Sequence, residues 1–265
     1  MKIDPRALVQ SLFVLVFVLV ALRRDASAQT SQPQTSEPLN ASVSDFGTTF
    51  VFSPPPVCPA CIETELGFQH LDDGNYIPAI LTFALPKGHT DINALVNLLD
   101  SEAPQSRRAT HFGNRFDFVV RQQVAAAGGL TLTVAPRGTV FIRNGEGGRA
   151  GLTVAPQYSC DNNLAILNLT WTAAVGVSAA NPRSDYLTSF DYYRTLERRG
   201  TALFLGFQQE EAAGSDTAGI EEGLVIPFRN GQVELSTQQL NLNASPQAQF
   251  QARVIVNWGK VFARR

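Results

Sequence analysis

The chain has 265 residues, 44% of them hydrophobic and 17% charged, with a formal charge of −2. That length and apolar content suffice for one large domain or two small ones and exclude disorder along most of the chain. Basic residues occur in nothing longer than Arg pairs, so no nucleic-acid partner is expected, and a single apolar stretch approaches spanning length, which excludes a bundle of transmembrane helices.

That stretch, Ala7 to Leu22, follows Lys2 and Arg6 and precedes Ala26-Ser27-Ala28. A basic start, a short apolar run and a small-residue cleavage site read as a secretory signal peptide over residues 1–28. Arg23 and Arg24, directly after the apolar run, fit an uncleaved anchor as well, and that alternative stays open. Residues 29–41 are rich in Ser, Thr, Gln and Pro and read as a flexible lead-in.

Residues 42–76 hold a candidate first strand, 42–53, followed by Pro54-Pro55-Pro56 and the Cys58-Pro59-Ala60-Cys61 pair, read together as a strand and an external loop. In an exported chain the Cys58 and Cys61 thiols can close a small disulfide or remain free. A thioredoxin-like site needs a βαβ setting, whereas here a proline triplet precedes the pair. Ile62 stands where haem attachment needs His, and zinc would need more ligands than the neighbourhood supplies. Cys160 has no partner evident from sequence.

From residue 77 onward the pattern is apolar and polar alternation broken by Gly, Asn and Asp turns, with 92–99 the one run ambiguous between helix and strand. Phe116, Phe118 and Val120 oppose Arg115, Asp117 and Arg121. Leu132, Val134 and Val140 oppose Thr133, Arg137 and Thr139. Leu167, Leu169 and Trp171 oppose Asn168, Thr170 and Thr172, and Phe250, Ala252, Val254 and Val256 oppose Gln249, Gln251 and Arg253. Successive side chains of a strand point to opposite faces, so each run has one apolar and one polar face. The runs are long. Sandwich strands average about five or six residues, whereas membrane-spanning strands need roughly nine to eleven. The expected fold is therefore all-β: an antiparallel transmembrane β-barrel of 10–12 strands over residues 77–265, the twelfth coming from 42–53. Its expected connections alternate short and long, with long ones at 100–110, 176–184 and 210–220.

Three segments carry a family resemblance: Phe112-Gly113-Asn114-Arg115-Phe116-Asp117-Phe118, Leu152-Thr153-Val154-Ala155-Pro156-Gln157-Tyr158 and Arg253-Val254-Ile255-Val256-Asn257-Trp258-Gly259. Across about residues 77–262 the chain resembles the meta-pathway phenol-degradation transporter family of bacterial outer-membrane barrels. The resemblance implies an outer-membrane location, outer-membrane lipid and the barrel-assembly machinery as partners, and transport of small, aromatic or hydrophobic solutes. Outer-membrane barrels commonly end on an aromatic residue; here Phe262 is followed by Ala263-Arg264-Arg265.

No catalytic motif is found. The histidines occur as His70-Leu71, His89-Thr90 and His111-Phe112, so no zinc-protease motif is present, and neither an esterase elbow nor a P-loop occurs. No enzyme activity, cofactor or metal is expected. By alternation Arg115, Asp117, Arg121, Arg137, Asp191, Glu234 and Arg253 line the barrel interior, either as a selectivity lining or as structural ion pairs filling a narrow barrel. Tyr158, Trp171, Tyr186, Tyr192 and Trp258 read as interface girdle residues. The functional expectation is a passive channel or transporter for small solutes. A non-transporting surface barrel and a soluble secreted β-sandwich binding module are the alternatives.

Overall fold

The computed structural model describes residues 60–71, 74–102, 109–111, 115–141, 148–175, 184–196, 200–212, 215–243 and 247–260. The expected signal peptide, lead-in and 42–53 strand, together with Cys58 and Phe262, lie outside these. All described residues belong to one compact unit, Ser44–Arg265.

The described chain is all-β. In order, the strands are β1 Cys61–Leu71, β2 Gly74–Ala84, β3 Thr90–Glu102, β4 Ala109–His111, β5 Arg115–Ala127, β6 Leu130–Phe141 and β7 Gly148–Cys160. They continue as β8 Asn163–Val175, β9 Ser184–Thr195, β10 Ala202–Ala212, β11 Ser215–Phe228, β12 Gly231–Leu240 and β13 Gln247–Lys260. Each pairs antiparallel with its neighbour in sequence, except that β4 and β5 both pair with β3, and β13 pairs with β1, so the sheet closes on itself. His111 to Ala109 pair with Asp100 to Glu102, and Phe116 to Gln122 pair with Val96 to Thr90. Thus β4 and β5 occupy one edge of β3 as a single interrupted strand, and the ring has twelve places.

Two expectations are corrected here. Part of the segment read as an external loop, 54–76, is β1, which supplies the closing strand. Its residues alternate Ile62, Thr64, Leu66, Phe68 outward against Glu63, Glu65, Gly67, Gln69 inward, a pattern hidden beside the prolines and cysteines. The expected long loop 210–220 is strand at both ends, with only residues 213–214 between β10 and β11. The ambiguous 92–99 run is strand within β3.

Register fixes the shape. Following paired residues once round the ring returns to β1 displaced by about 14 residues, which for twelve strands gives a tilt of about 40° and a backbone radius of roughly 11–12 Å. At that tilt each residue rises about 2.5 Å along the axis, so strands of 10–14 residues cross a hydrocarbon layer of about 25 Å.

Alternation sorts the two faces as the sequence pattern requires. Outward positions hold Leu66, Leu81, Phe118, Leu169, Leu205, Ile226 and Val254, all exposed. Inward positions hold Asp91, Asn93, Thr133, Thr153, Asn168, Ser189 and Gln251, all buried. This inversion of the usual soluble pattern is what a solvent of acyl chains outside demands. Trp258 is 66% exposed on the outer face, where its indole N–H donates to the Thr64 hydroxyl at 2.8 Å. With Trp171, Tyr186 and Tyr192, also exposed, it lies toward the margins of the outer band.

Between β5 and β6 the chain reverses in two residues, Gly128 and Gly129, at φ of 58° and 84°. Two consecutive positive φ values are the geometry of the tight hairpin turn that matches strand twist. A Cβ on Gly129 would also lie 2.3 Å from the Ser159 carbonyl oxygen of β7. Replacing Gly129 with Val is expected to lower the folded fraction several-fold, read as the fraction of protein in the fast-migrating band of unboiled gel samples. In the wild type, boiling should shift that band to the unfolded mobility, and an unshifted wild-type band would contradict a closed barrel.

Candidate functional site

The inner wall carries most of its charge on one arc; the opposite arc holds Arg137 of β6 and Arg149 of β7, the latter paired with Asp185 of β9. Across β6, β7 and β8 the buried inward residues are Thr133, Ala135, Thr153, Ala155, Ile166 and Asn168. Here hydroxyls and amides satisfy one another: Thr153 and Thr170 share a hydrogen bond of 2.8 Å, and Asn168 donates to Ser189 at 3.4 Å. The charged arc runs from β5 through β3, β1, β13 and β12 to β11 and β9.

At one end of this arc, Arg121 on β5 grips Asp91 on β3, with Nε–Oδ1 of 2.7 Å and Nη2–Oδ2 of 2.5 Å. The other Asp91 contact comes from the Asn93 amide at 2.7 Å, and the Thr82 hydroxyl of β2 donates to Asn93 at 2.7 Å. Thr139 of β6 donates to Asp117 of β5. β2, β3 and β5 are thereby joined through Asn93, Asp91 and Arg121, and β5 to β6 through Asp117 and Thr139; the bonds to the Asp91 and Asp117 carboxylates are charge-assisted, the strong kind when shielded from water.

Arg253 on β13 holds the seam. Its Nη1 contacts Glu65 Oε1 of β1 at 2.8 Å, and its Nε reaches Glu234 Oε2 of β12 at 2.9 Å, with Nη2 on the same oxygen. The Gln232 amide donates to Glu234 at 2.5 Å, fixing the second carboxylate oxygen. Above it, the Gln249 amide donates to Gln238 at 2.5 Å. The planar five-donor guanidinium can serve two carboxylates at once, which a lysine could not do with the same geometry.

Beyond Glu234 the arc holds acids without matching bases. Asp191 on β9 is 0% exposed, and neither of its carboxylate oxygens has a hydrogen-bond partner among the described residues. Its side chain lies over Gly206 of β10, where a Cβ would meet Oδ1 at 2.3 Å. Glu221 on β11 pairs with Gly206 across the same ladder and is also buried. Next to these carboxylates Tyr193 and Phe204 stack with centroids 5.2 Å apart and pack with Ala202 and Val225 as an apolar patch on the inner wall. A second such patch, Leu95, Val119 and Ala135 with Ile80, backs the Arg121 cluster.

The positions expected to line the interior are placed as follows. Asp117, Arg121, Asp191, Glu234 and Arg253 are buried on the inner face, and Arg137 is half-buried on the same face. Arg115 opens β5 opposite Phe141, and its side chain lies outside those described. Inward charges that sequence reading did not single out are Glu63, Glu65, Asp91 and Glu221, and also Arg149, which pairs with Asp185 while donating to Thr172 at 3.1 Å. Polar neighbours, Thr64 between Glu63 and Glu65, Thr90 before Asp91 and Glu222 after Glu221, blur the alternation that found the others. Of the cysteines, Cys61 is disulfide-bonded and Cys160 is a free thiol at the β7–β8 turn. Among the described residues no three His, Cys, Asp or Glu side chains converge as metal ligands.

No family model matches the sequence, and no curated protein matches it. Solved structures do. The KdgM porin aligns at 8% identity and a TM-score of 0.54, over 73% of this chain and 98% of that one. The NanC porin aligns at 6% identity and a TM-score of 0.56, over 74% and 98%. An outer membrane channel from Pseudomonas putida F1 aligns at 9% identity and a TM-score of 0.56, over 78% and 100%. At such identities the likeness establishes the fold: this chain has the closed antiparallel barrel fold that those outer-membrane porins and channels share.

Proposed function

We propose that the chain is a bacterial outer-membrane channel for small solutes that favours cations and neutral molecules over anions. The observation that carries this reading is the unbalanced inner wall. Once Arg121 is engaged by Asp91, Arg149 by Asp185, and Arg253 by Glu65 and Glu234, the carboxylates of Asp191, Glu221 and Glu63 still face inward and outnumber the remaining inward base, Arg137. Fixed carboxylates along a narrow water-filled path attract cations and repel anions. A ring of this radius stands between eight-stranded barrels, which side chains fill, and 16-stranded porins, which stay open. The connections at the end holding Cys61 and Lys260 include two-residue turns at 128–129, 161–162 and 229–230, which supports placing that end in the periplasm.

The KdgM porin has been solved with oligogalacturonate, a polyanion. The acidic inner wall described above is a poor match for such a substrate. Aromatic solutes, which the resemblance to the phenol-degradation transporters implies, find support in the Tyr193–Phe204 stack: it presents ring faces on the inner wall beside hydrogen-bonding carboxylates. One observation favours a second reading, a barrel that does not conduct. Asp91 and Asp191 are 0% exposed, as expected of side chains that pack the interior as structural ties.

Planar-bilayer recordings of the purified barrel separate the two readings. A conducting barrel should show a reversal potential of cation sign in a salt gradient, whereas absence of conductance would establish the packed barrel. Neutralising Asp191→Asn together with Glu221→Gln is expected to lower the cation-to-anion permeability ratio several-fold. Arg253→Ser should move the ratio the opposite way, because it releases Glu65 and Glu234.

A further inference from the structure

Toward one end the outer face carries His70 of β1 hydrogen-bonded to Asn75 of β2, and at mid-depth it departs from its apolar rule on β11. Glu222 stands midway along the 14 residues of β11, at an outward position between Ile220 and Leu224, and is exposed. Six residues separate it from Phe228 at the turn, which at the strand tilt puts it about 15 Å from that rim, near mid-depth of the apolar band. Its outward cross-strand neighbours are Leu205 and Thr237, and it makes no ion pair or hydrogen bond among the described residues. A carboxylate facing acyl chains at that depth is costly, and ionisable groups within membranes are generally paired or face protein.

A second observation falls on the same patch. Thr188 on β9, Gln209 on β10, and Thr237 and Gln239 on β12 all point outward around Glu222. Elsewhere around the ring, outward positions in the same half of the band hold Phe116, Leu152, Trp171 and Phe250. The aromatic and aliphatic belt that would meet lipid is therefore interrupted on β9–β12 by hydrogen-bonding side chains.

We infer that the outer face of β10–β12 is the contact surface for a second copy of this chain, with Glu222 at its centre. The patch is chemically self-complementary. A two-fold axis along the membrane normal preserves depth and sets the β10 side of one copy against the β12 side of the other. Glu222 of each copy then comes within side-chain reach of the Thr237 hydroxyl of the other, because those two residues are direct cross-strand partners and at the strand tilt differ in depth by only about 3 Å. Gln209, two outward steps beyond Leu205 on β10, and Gln239, one beyond Thr237 on β12, come to nearly the same depth at the strand tilt and meet amide to amide. A basic protein partner would satisfy Glu222 but leave the uncharged amides and hydroxyls around it unused. The inference rests on the barrel lying in the outer membrane.

The test uses the full chain in outer membranes, with Cys160→Ser as background and single cysteines at Thr237→Cys or, five ring places away, Phe118→Cys. A short bifunctional thiol reagent is expected to convert most of the Thr237→Cys protein, and little of the Phe118→Cys protein, to a band of twice the mass. Adding Glu222→Leu should reduce that band at least several-fold. Equal linking at the two sites, linking of Thr237→Cys to a protein of different mass, or a dimer band unchanged by Glu222→Leu would each overturn the inference while the heat-shifted barrel persists. Loss of the heat shift in the background protein would overturn the membrane placement and the inference with it.

Discussion

The constraint on which the structure depends is that a sheet in lipid can have no edge. Each unpaired N–H or C=O exposed to acyl chains costs several kcal/mol, roughly what a buried group pays without a partner. The ladder between β1 and β13, from Cys61 opposite Lys260 to His70 opposite Phe250, satisfies what would otherwise be two open rows of such groups. Every other feature follows from closing this seam. Twelve places and a stagger of about 14 residues fix tilt, radius and which residues face inward. The outer face can then be as apolar as the membrane requires because no backbone polarity remains to be hidden.

With most of the outer face apolar, the chain's ion pairs and buried carboxylates gather on the inner wall. Acids outnumber bases there, and the paired bases are arginines shared between strands. Arg253 touches residues of β1 and β12 from its place on β13, so the side-chain tie and the backbone seam coincide. Buried ion pairs are weak evidence of net stability, since desolvation offsets much of their attraction. Their clearer role here is to fix register, because a one-residue slip of β13 would turn Arg253 outward into lipid.

Most of this architecture was legible in the sequence because a strand in a membrane barrel must alternate over its whole length. The β5, β6, β8 and β13 runs were readable for that reason, and with them the inward positions of Asp117, Arg121 and Arg253. What escaped reading did so for physical reasons. In β1 the inward residues include two glutamates and a glycine, and the strand begins at a cysteine beside prolines, so local turn chemistry masked the alternation. At the end of β10 that faces β11, Gln209 and Glu211 stand at outward positions where the pattern expects apolar residues, and the strands there looked like loop. Pairings such as Arg253 with Glu65 join residues 188 apart and leave no trace in local spacing.

The long-range seam also bears on how the barrel comes to exist. Hairpins such as β7–β8, joined through Asp161 and Asn162, close cheaply because their partners are adjacent in the chain. Joining β1 to β13 instead brings together groups 194 residues apart, as between Trp258 and Thr64, and the entropy of that closure is paid before any seam bond is gained. Until then both edge strands are sticky templates for other chains. Assembly is therefore expected to be slow and all-or-none, its rate set by the meeting of those two edges.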